Sequence, residues 1–199
     1  MSDERDPLDR YFTPDAWADA VVSRWASGGK LARLRCVVEP SVGQRSVWPR
    51  ALRRAGYTGR IVGVDVDPDV SGAECDHLVR GDWCEVGAEL LLAEQPDLVV
   101  GNPPYGVLDA HAAIMLGGAC PVSILVRTGW LQSARVREVF ALRHPARLLL
   151  SSGRLAFDSP GCDRTTTDRF DYAQVSWGKT HATQTLTDWL DWKPKREET

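Results

Sequence analysis

The sequence predicts a doubly wound α/β fold with a mostly parallel sheet, and three features predict it. Short apolar, β-branched runs recur along the chain, helix-like stretches separate them, and several runs end in acids or turn-forming residues. In such folds ligands collect at the carboxyl ends of the strands, where the strand order reverses. A length of 199 residues suits one domain with one sheet, expected over 1–192 with a polar tail at 193–199.

In chain order, residues 35–39, 60–65, 75–79, 97–101, 121–127 and 146–150 read as strands. The alternating stretch 170–177 reads as a seventh and last strand. Helices are expected over 14–25, 47–55, 85–94, 109–116 and 131–142. Thr13 is expected to cap the first helix, with Pro14 as its first residue, because proline there loses no hydrogen bond. Leu186, Trp189 and Leu190 have helical spacing and are expected to close the core. The Gly/Asp/Thr-rich segment 161–168 reads as a mobile loop.

Composition narrows the class. A hydrophobic fraction of 43% with 26% charged residues is ordinary for a globular chain. No apolar run approaches the roughly 20 residues that span a bilayer, and the charged start, Met1 to Asp6, lacks the apolar stretch of a secretory signal. A cytoplasmic protein without membrane partners is expected. The five cysteines are scattered and read mostly as reduced, buried hydrophobes. The four histidines lack metal-ligand spacing, so no metal is expected.

The net charge of −3 argues against wholesale polyanion binding, but the distribution is uneven. Between Arg127 and Arg169 there are eight arginines against four acids. A second basic stretch runs through Arg45, Arg50, Arg53, Arg54 and Arg60, with no acid between Ser41 and Val64. The arginine fork suits phosphate. These stretches read either as a nucleic-acid footprint or as solvated helix faces.

Four strand ends carry residues suited to a ligand site. The first is Glu39-Pro40-Ser41-Val42-Gly43, where the acid can accept from an ammonium and the glycine permits close backbone approach. The second ends in Asp65, near the interval at which an acid grips ribose hydroxyls in nucleotide-binding α/β folds. After the third comes Gly81-Asp82-Trp83, a carboxylate able to accept from an amino group beside an indole able to cover a ring. The fourth gives Asn102-Pro103-Pro104-Tyr105. Two prolines stiffen the backbone just past a buried strand. A stiff turn can aim the Asn102 amide oxygen and the Pro103 carbonyl at one external NH₂, with Tyr105 as a stacking face.

At these positions the chain resembles the amino-group class of nucleic-acid methyltransferases, specifically adenine-N6 DNA methyltransferases of the kind carried by phages and restriction systems. Asn102-Pro103-Pro104-Tyr105 matches the catalytic motif, Glu39 to Gly43 the cofactor loop, Asp65 the ribose acid, and Asp82-Trp83 the adenine contact. Tyr11-Phe12-Thr13-Pro14 is similar to the aromatic-X-Thr-Pro element that touches the methionine end of the cofactor. The stretch 168–177 is similar to the element where an aromatic flanks the target base. The resemblance implies a Rossmann-like seven-stranded sheet with the last strand antiparallel, S-adenosyl-L-methionine as cofactor, and DNA as substrate. On the substrate side it implies Phe170 or Tyr172 at the base edge, with Arg127, Arg164 and Arg169 toward the nucleic acid.

Two departures from the pattern carry expectations. Arg45 stands where the family has a second glycine, so its side chain either crowds the methionine end or swings outward. Few residues follow Trp177, so no separate target-recognition domain is expected; selectivity would come from the loop at 161–169 or from a protein partner. The alternatives are adenine-N6 methylation of RNA, methylation of a glutamine amide (which presents a comparable planar NH₂), and a non-catalytic module that keeps the fold for binding.

Overall fold

A computed structural model describes residues 11–157 and 170–193, together with the backbone of 166–167. The first half of the chain runs α1 (Asp15–Ser27), β1 (Cys36–Glu39), α2 (Val47–Arg54), β2 (Arg60–Asp65) and β3 (His77–Arg80). It continues through α3 (Trp83–Glu94), β4 (Leu98–Gly101), α4 (Leu108–Gly117), β5 (Val122–Arg127), α5 (Val136–Leu142) and β6 (Arg147–Ser151). The short strands β7 (Ala156–Phe157) and β8 (Thr166–Thr167) pair with each other as a separate ribbon. The chain then returns to the main sheet through β9 (Tyr172–Trp177) and β10 (Leu186–Leu190).

The main sheet has eight strands in the order β10-β6-β9-β5-β4-β1-β2-β3. All neighbours are parallel except at β9, which runs antiparallel to both β5 and β6. The chain walks outward from β1 to β3, then jumps back to place β4 on the other side of β1. Such a reversal opens a crevice at the strand ends, here between Glu39 and Gly101.

Strand geometry sorts the side chains into two layers, because successive residues point to opposite faces. Val37, Ile61, Val100 and Leu125 face a core with Trp17 and Val21 of α1 and Trp48 and Leu52 of α2. Their neighbours Val38, Val62, Val99 and Ile124 face the other core, with Leu91 of α3, Met115 of α4 and Val139 of α5.

The structure corrects several expectations. The sheet has eight strands rather than seven, and the extra one, β10, is the segment expected to be helical. It pairs in parallel with β6 from Leu186↔Arg147 to Leu190↔Ser151. Of its spaced residues only Leu190 is buried, while Leu186 and Trp189 are exposed. The last strand is therefore parallel, and the antiparallel one is the expected strand at 170–177. The first helix begins at Asp15 with Pro14 as its N-cap and no side-chain cap. Thr13 is buried instead. The segment 161–168, apart from the β8 backbone, lies outside the described residues, as do Arg164 and Arg169.

Candidate functional site

The loop after β1 is bent tightly. Gly43 has φ +65°, a conformation that favours glycine, and a Cβ there would lie in ordinary contact with the Phe12 ring at 3.4 Å. Ser46 also adopts a left-handed conformation (φ 46°), unusual for a residue with a Cβ, and its hydroxyl is buried without a hydrogen-bond partner. Asp65 at the end of β2 organises this loop. Its Oδ2 accepts from the Gly43 N–H at 2.7 Å and its Oδ1 from the Asp67 N–H at 2.8 Å. Each oxygen keeps a further lone pair for a hydroxyl donor.

Glu39, at the end of β1, is 2% exposed, and its Oε2 has no hydrogen-bond partner. Burial pushes its carboxyl well above the ordinary range, and the neighbouring Asp65 adds to the push. An unsatisfied buried acid is costly, and a cationic donor placed beside it would relieve that cost.

Across the switch point, the Asn102 amide is held at both ends. Its Nδ2 donates to the Tyr11 carbonyl at 2.9 Å, and its Oδ1 accepts from the Tyr105 hydroxyl at 2.7 Å. Those two partners fix which way the amide faces. Without a ligand, therefore, Tyr105 occupies the amide oxygen that the sequence reading reserves for a substrate amine. The guanidinium of Arg127, at the end of β5, lies 4.6 Å from the Tyr105 ring centroid and 4.3 Å from that of Phe170. Its Nε donates to the Tyr172 hydroxyl at 3.2 Å.

A cleft of about 70 Å³ joins these elements, smaller than the roughly 300–1,000 Å³ usual for small-molecule sites. Of the residues expected at a site, Tyr11, Thr13, Glu39, Ser41, Gly43, Asp65, Asn102 and Pro104 line it. Pro14, Pro40, Pro103 and Tyr105 border the same loops without lining the cleft, although the Pro40 ring would lie 3.4 Å from a Cβ at Gly101. Sequence reasoning missed Phe12, Val42, Val47 and Trp48, which complete the wall. Phe12 was within reach as the X of the aromatic-X-Thr-Pro element, but nothing in the sequence told that its ring lies over Gly43.

Two expected cofactor residues stand apart from the cleft. Trp83 is 1% exposed, packs against the Gly87 backbone and donates its indole N–H to the His111 carbonyl. It is a core residue between α3 and α4. Asp82 is exposed and caps α3, accepting from the Cys84 N–H at 2.8 Å. Asp82, Cys84 and His111 bring potential metal-donor atoms within 4.8 Å of one another, a grouping invisible to sequence spacing because it joins α3 to α4. Burial pushes the His111 imidazole down to about 4, against a weaker upward pull from Asp82.

The basic stretches resolve mostly into structure. Arg45 turns away from the cleft wall to Asp15 at 2.6 Å, which answers the crowding question raised by the missing glycine. Arg54 pairs with Asp15 and Asp19, Arg60 with Glu94, and Arg53 with Asp76 and two carbonyls. Arg143 is buried and donates to the carbonyls of Cys120, Leu116 and Gly178. Among the described cysteines Cys36 and Cys120 are buried, Cys75 is half-buried and Cys84 is exposed; all four are free thiols.

Neither a family model nor a curated protein matches the sequence. Solved structures match the fold. A Listeria monocytogenes protein assigned to the class I S-adenosylmethionine-dependent methyltransferases superposes with a TM-score of 0.65 at 13% identity, over 94% of this chain and 68% of that one. A Pyrococcus horikoshii protein assigned as an RNA methyltransferase gives 0.65 at 16% identity, over 90% and 93%. The methyltransferase subunit of a type I restriction-modification system from Streptococcus thermophilus gives 0.63 at 14% identity, over 89% and 47%. The chain thus has the Rossmann-like fold of class I S-adenosylmethionine-dependent methyltransferase structures.

Proposed function

We propose that the chain is an S-adenosylmethionine-dependent methyltransferase acting on N6 of adenine in DNA. One observation carries the reading. The orphaned carboxyl of Glu39 and the anchored amide of Asn102 line a single cleft at the point where the strand order reverses. The donor set fits the cofactor. Glu39 suits its ammonium, Asp65 its ribose hydroxyls, and the glycine-pinned loop its close backbone approach. Asp82 lies one strand further out, as a contact at the adenine end, whereas Trp83 is buried in the core behind it.

When bound, the sulfonium cofactor supplies an electrophilic methyl group. The chain's own part is positioning and electrostatics. An adenine N6 lone pair is delocalised into the ring, so the amine is a poor nucleophile. The Asn102 amide oxygen and the Pro103 carbonyl accept from the NH₂ and draw its lone pair out of the ring plane. The same acceptors stabilise the positive charge that develops on nitrogen. For this the Tyr105 hydroxyl must release the Asn102 oxygen, which frees the Tyr105 ring to stack on a base turned out of its helix. Orientation of this kind is worth up to several kcal/mol.

The likeness to the Pyrococcus horikoshii protein motivates RNA adenine as the second reading. Asn102→Ala tests the assigned roles. Calorimetry with S-adenosylmethionine is expected to show little change in affinity while methyl transfer is lost. Equal loss of both contradicts the role given to the amide, and no cofactor heat from the wild type favours a non-catalytic module.

A further inference from the structure

We propose that Asp82, Cys84 and His111 form a binding site for a divalent transition metal of the zinc type. Each brings one donor atom (a carboxylate oxygen, a thiol sulfur and an imidazole nitrogen), and the three atoms lie within 4.8 Å of one another. Sequence spacing predicts no such site, because Asp82 and Cys84 open α3 while His111 lies on α4. The fold holds these elements together. Trp83, between the two α3 donors, is buried and donates its indole N–H to the His111 carbonyl at 3.4 Å. His111 is thereby anchored through its backbone beside the start of α3.

A second, independent observation comes from His111 itself. It is 4% exposed, and its Nδ1 is buried with no hydrogen-bond partner. A buried polar atom left unpaired calls for a reason, and an ion supplies one. Asp82 and Cys84 are exposed, so an ion can reach the buried ring from solvent.

The donor types choose the ion. Thiolate and imidazole suit zinc and its neighbours in the first transition row. Calcium and magnesium take oxygen ligands, and this set offers a single carboxylate. Zinc bonds of about 2.0–2.3 Å would set tetrahedral donors roughly 3.3–3.8 Å apart, so the side chains must close by about 1 Å. The exposed Asp82 and Cys84 can move that far, and the fourth position falls to water.

Charge points the same way. The charged side chains that act on Cys84 and His111 are Asp82 and Glu85, both acids. Binding releases the Cys84 thiol proton to solvent, and the thiolate and the Asp82 carboxylate then balance a dication. The positive end of the α3 dipole opposes it by only about half a unit charge. A carboxylate has about four lone-pair positions. Asp82 can therefore accept from the Cys84 N–H, bind the ion and still serve the adenine contact proposed above.

The test titrates the chelator-stripped, untagged full chain with cobalt(II) and then zinc(II). Wild type is expected to bind one ion per chain, and its cobalt form to show thiolate-to-cobalt charge-transfer absorption that zinc abolishes. Cys84→Ser should lose that absorption. Cys84→Ser and His111→Gln should each weaken zinc binding by at least about tenfold, read by competition with a chromophoric chelator. Cys75→Ser, at a half-buried free thiol elsewhere, should change neither readout. Zinc should also raise the Tm of wild type and leave that of Cys84→Ser unmoved. No ion bound by wild type, or charge-transfer absorption that survives Cys84→Ser, would overturn the proposal. Zinc binding that neither variant weakens would do the same. Cys84 is exposed, so its variant keeps the test decisive even where His111→Gln disturbs packing. None of these readouts uses the methyl donor, so their outcome is separate from that of the methyltransferase reading.

Discussion

Replacing Glu39 with glutamine is expected to strengthen the ligand-free protein while weakening its hold on the cofactor. Glu39 is 2% exposed, its Oε2 has no partner, and burial together with Asp65 resists its ionisation. Glutamine keeps the shape and removes the charge. An unsatisfied buried group costs about 1–3 kcal/mol, more when charged. Glu39→Gln should therefore raise stability at pH 8 by at least about 1 kcal/mol, or roughly 2–4 °C in Tm for a chain of this size. The sign of the pH dependence is fixed. A carboxyl whose folded pKa lies above its unfolded value, about 4.3, stabilises the fold fully only below that value. Its contribution is lost as pH rises toward the folded pKa. The advantage of the glutamine variant should accordingly grow from about pH 4.3 upward. Loss of a charge-assisted bond to the cofactor ammonium, about 1.5–3 kcal/mol, should weaken binding by about 10- to 150-fold. Denaturant titrations across pH, paired with calorimetry, measure both effects. A variant that is less stable at every pH, or that binds the cofactor as tightly as wild type, would refute the argument.

Tyr105→Phe keeps the ring and releases the Asn102 oxygen, so transfer should stay within a few-fold of wild type. Tyr105→Ala should lose about 1–3 kcal/mol of base stacking, and steady-state kinetics on one oligonucleotide compares the two. Ser46→Gly should stabilise the protein by about 1 kcal/mol, since it removes a left-handed Cβ and an orphaned buried hydroxyl; urea unfolding reads it. Burial holds the His111 imidazole near 4. Its contribution should therefore be fully present above its unfolded pKa, about 6.5, and be lost as pH falls toward 4, by roughly 3 kcal/mol in total. His111→Gln should lack that dependence in acid titrations of stability.

The strands were legible where the apolar run was continuous. β2 matches the expected 60–65 because Ile61-Val62-Gly63-Val64 is buried on both faces. The site was legible where chemistry and strand ends coincide, as at Glu39, Asp65 and Asn102, which the switch point gathers into one cleft. The last segment misled because Leu186, Trp189 and Leu190 over five residues fit a helical stripe as well as an edge strand. Pairing with β6 decided between them. Trp83 misled for a different reason. An indole next to Asp82 suggests a ligand ring, but the first turn of α3 points it at α4, against the backbone of Gly87. The basic stretches looked free in sequence because their acids come from other elements, such as Asp15 for Arg45 and Glu94 for Arg60. Arg127 was legible as a charge near the substrate but not as a stacked one. That needed Tyr105 and Phe170 to meet it in space.

The most direct test of the central claim is nucleoside analysis of plasmid DNA incubated with the protein and methyl-labelled S-adenosylmethionine. The account expects label in N6-methyladenine. Label in a methylated cytosine, or no transfer to DNA from a cofactor that demonstrably binds, would contradict it.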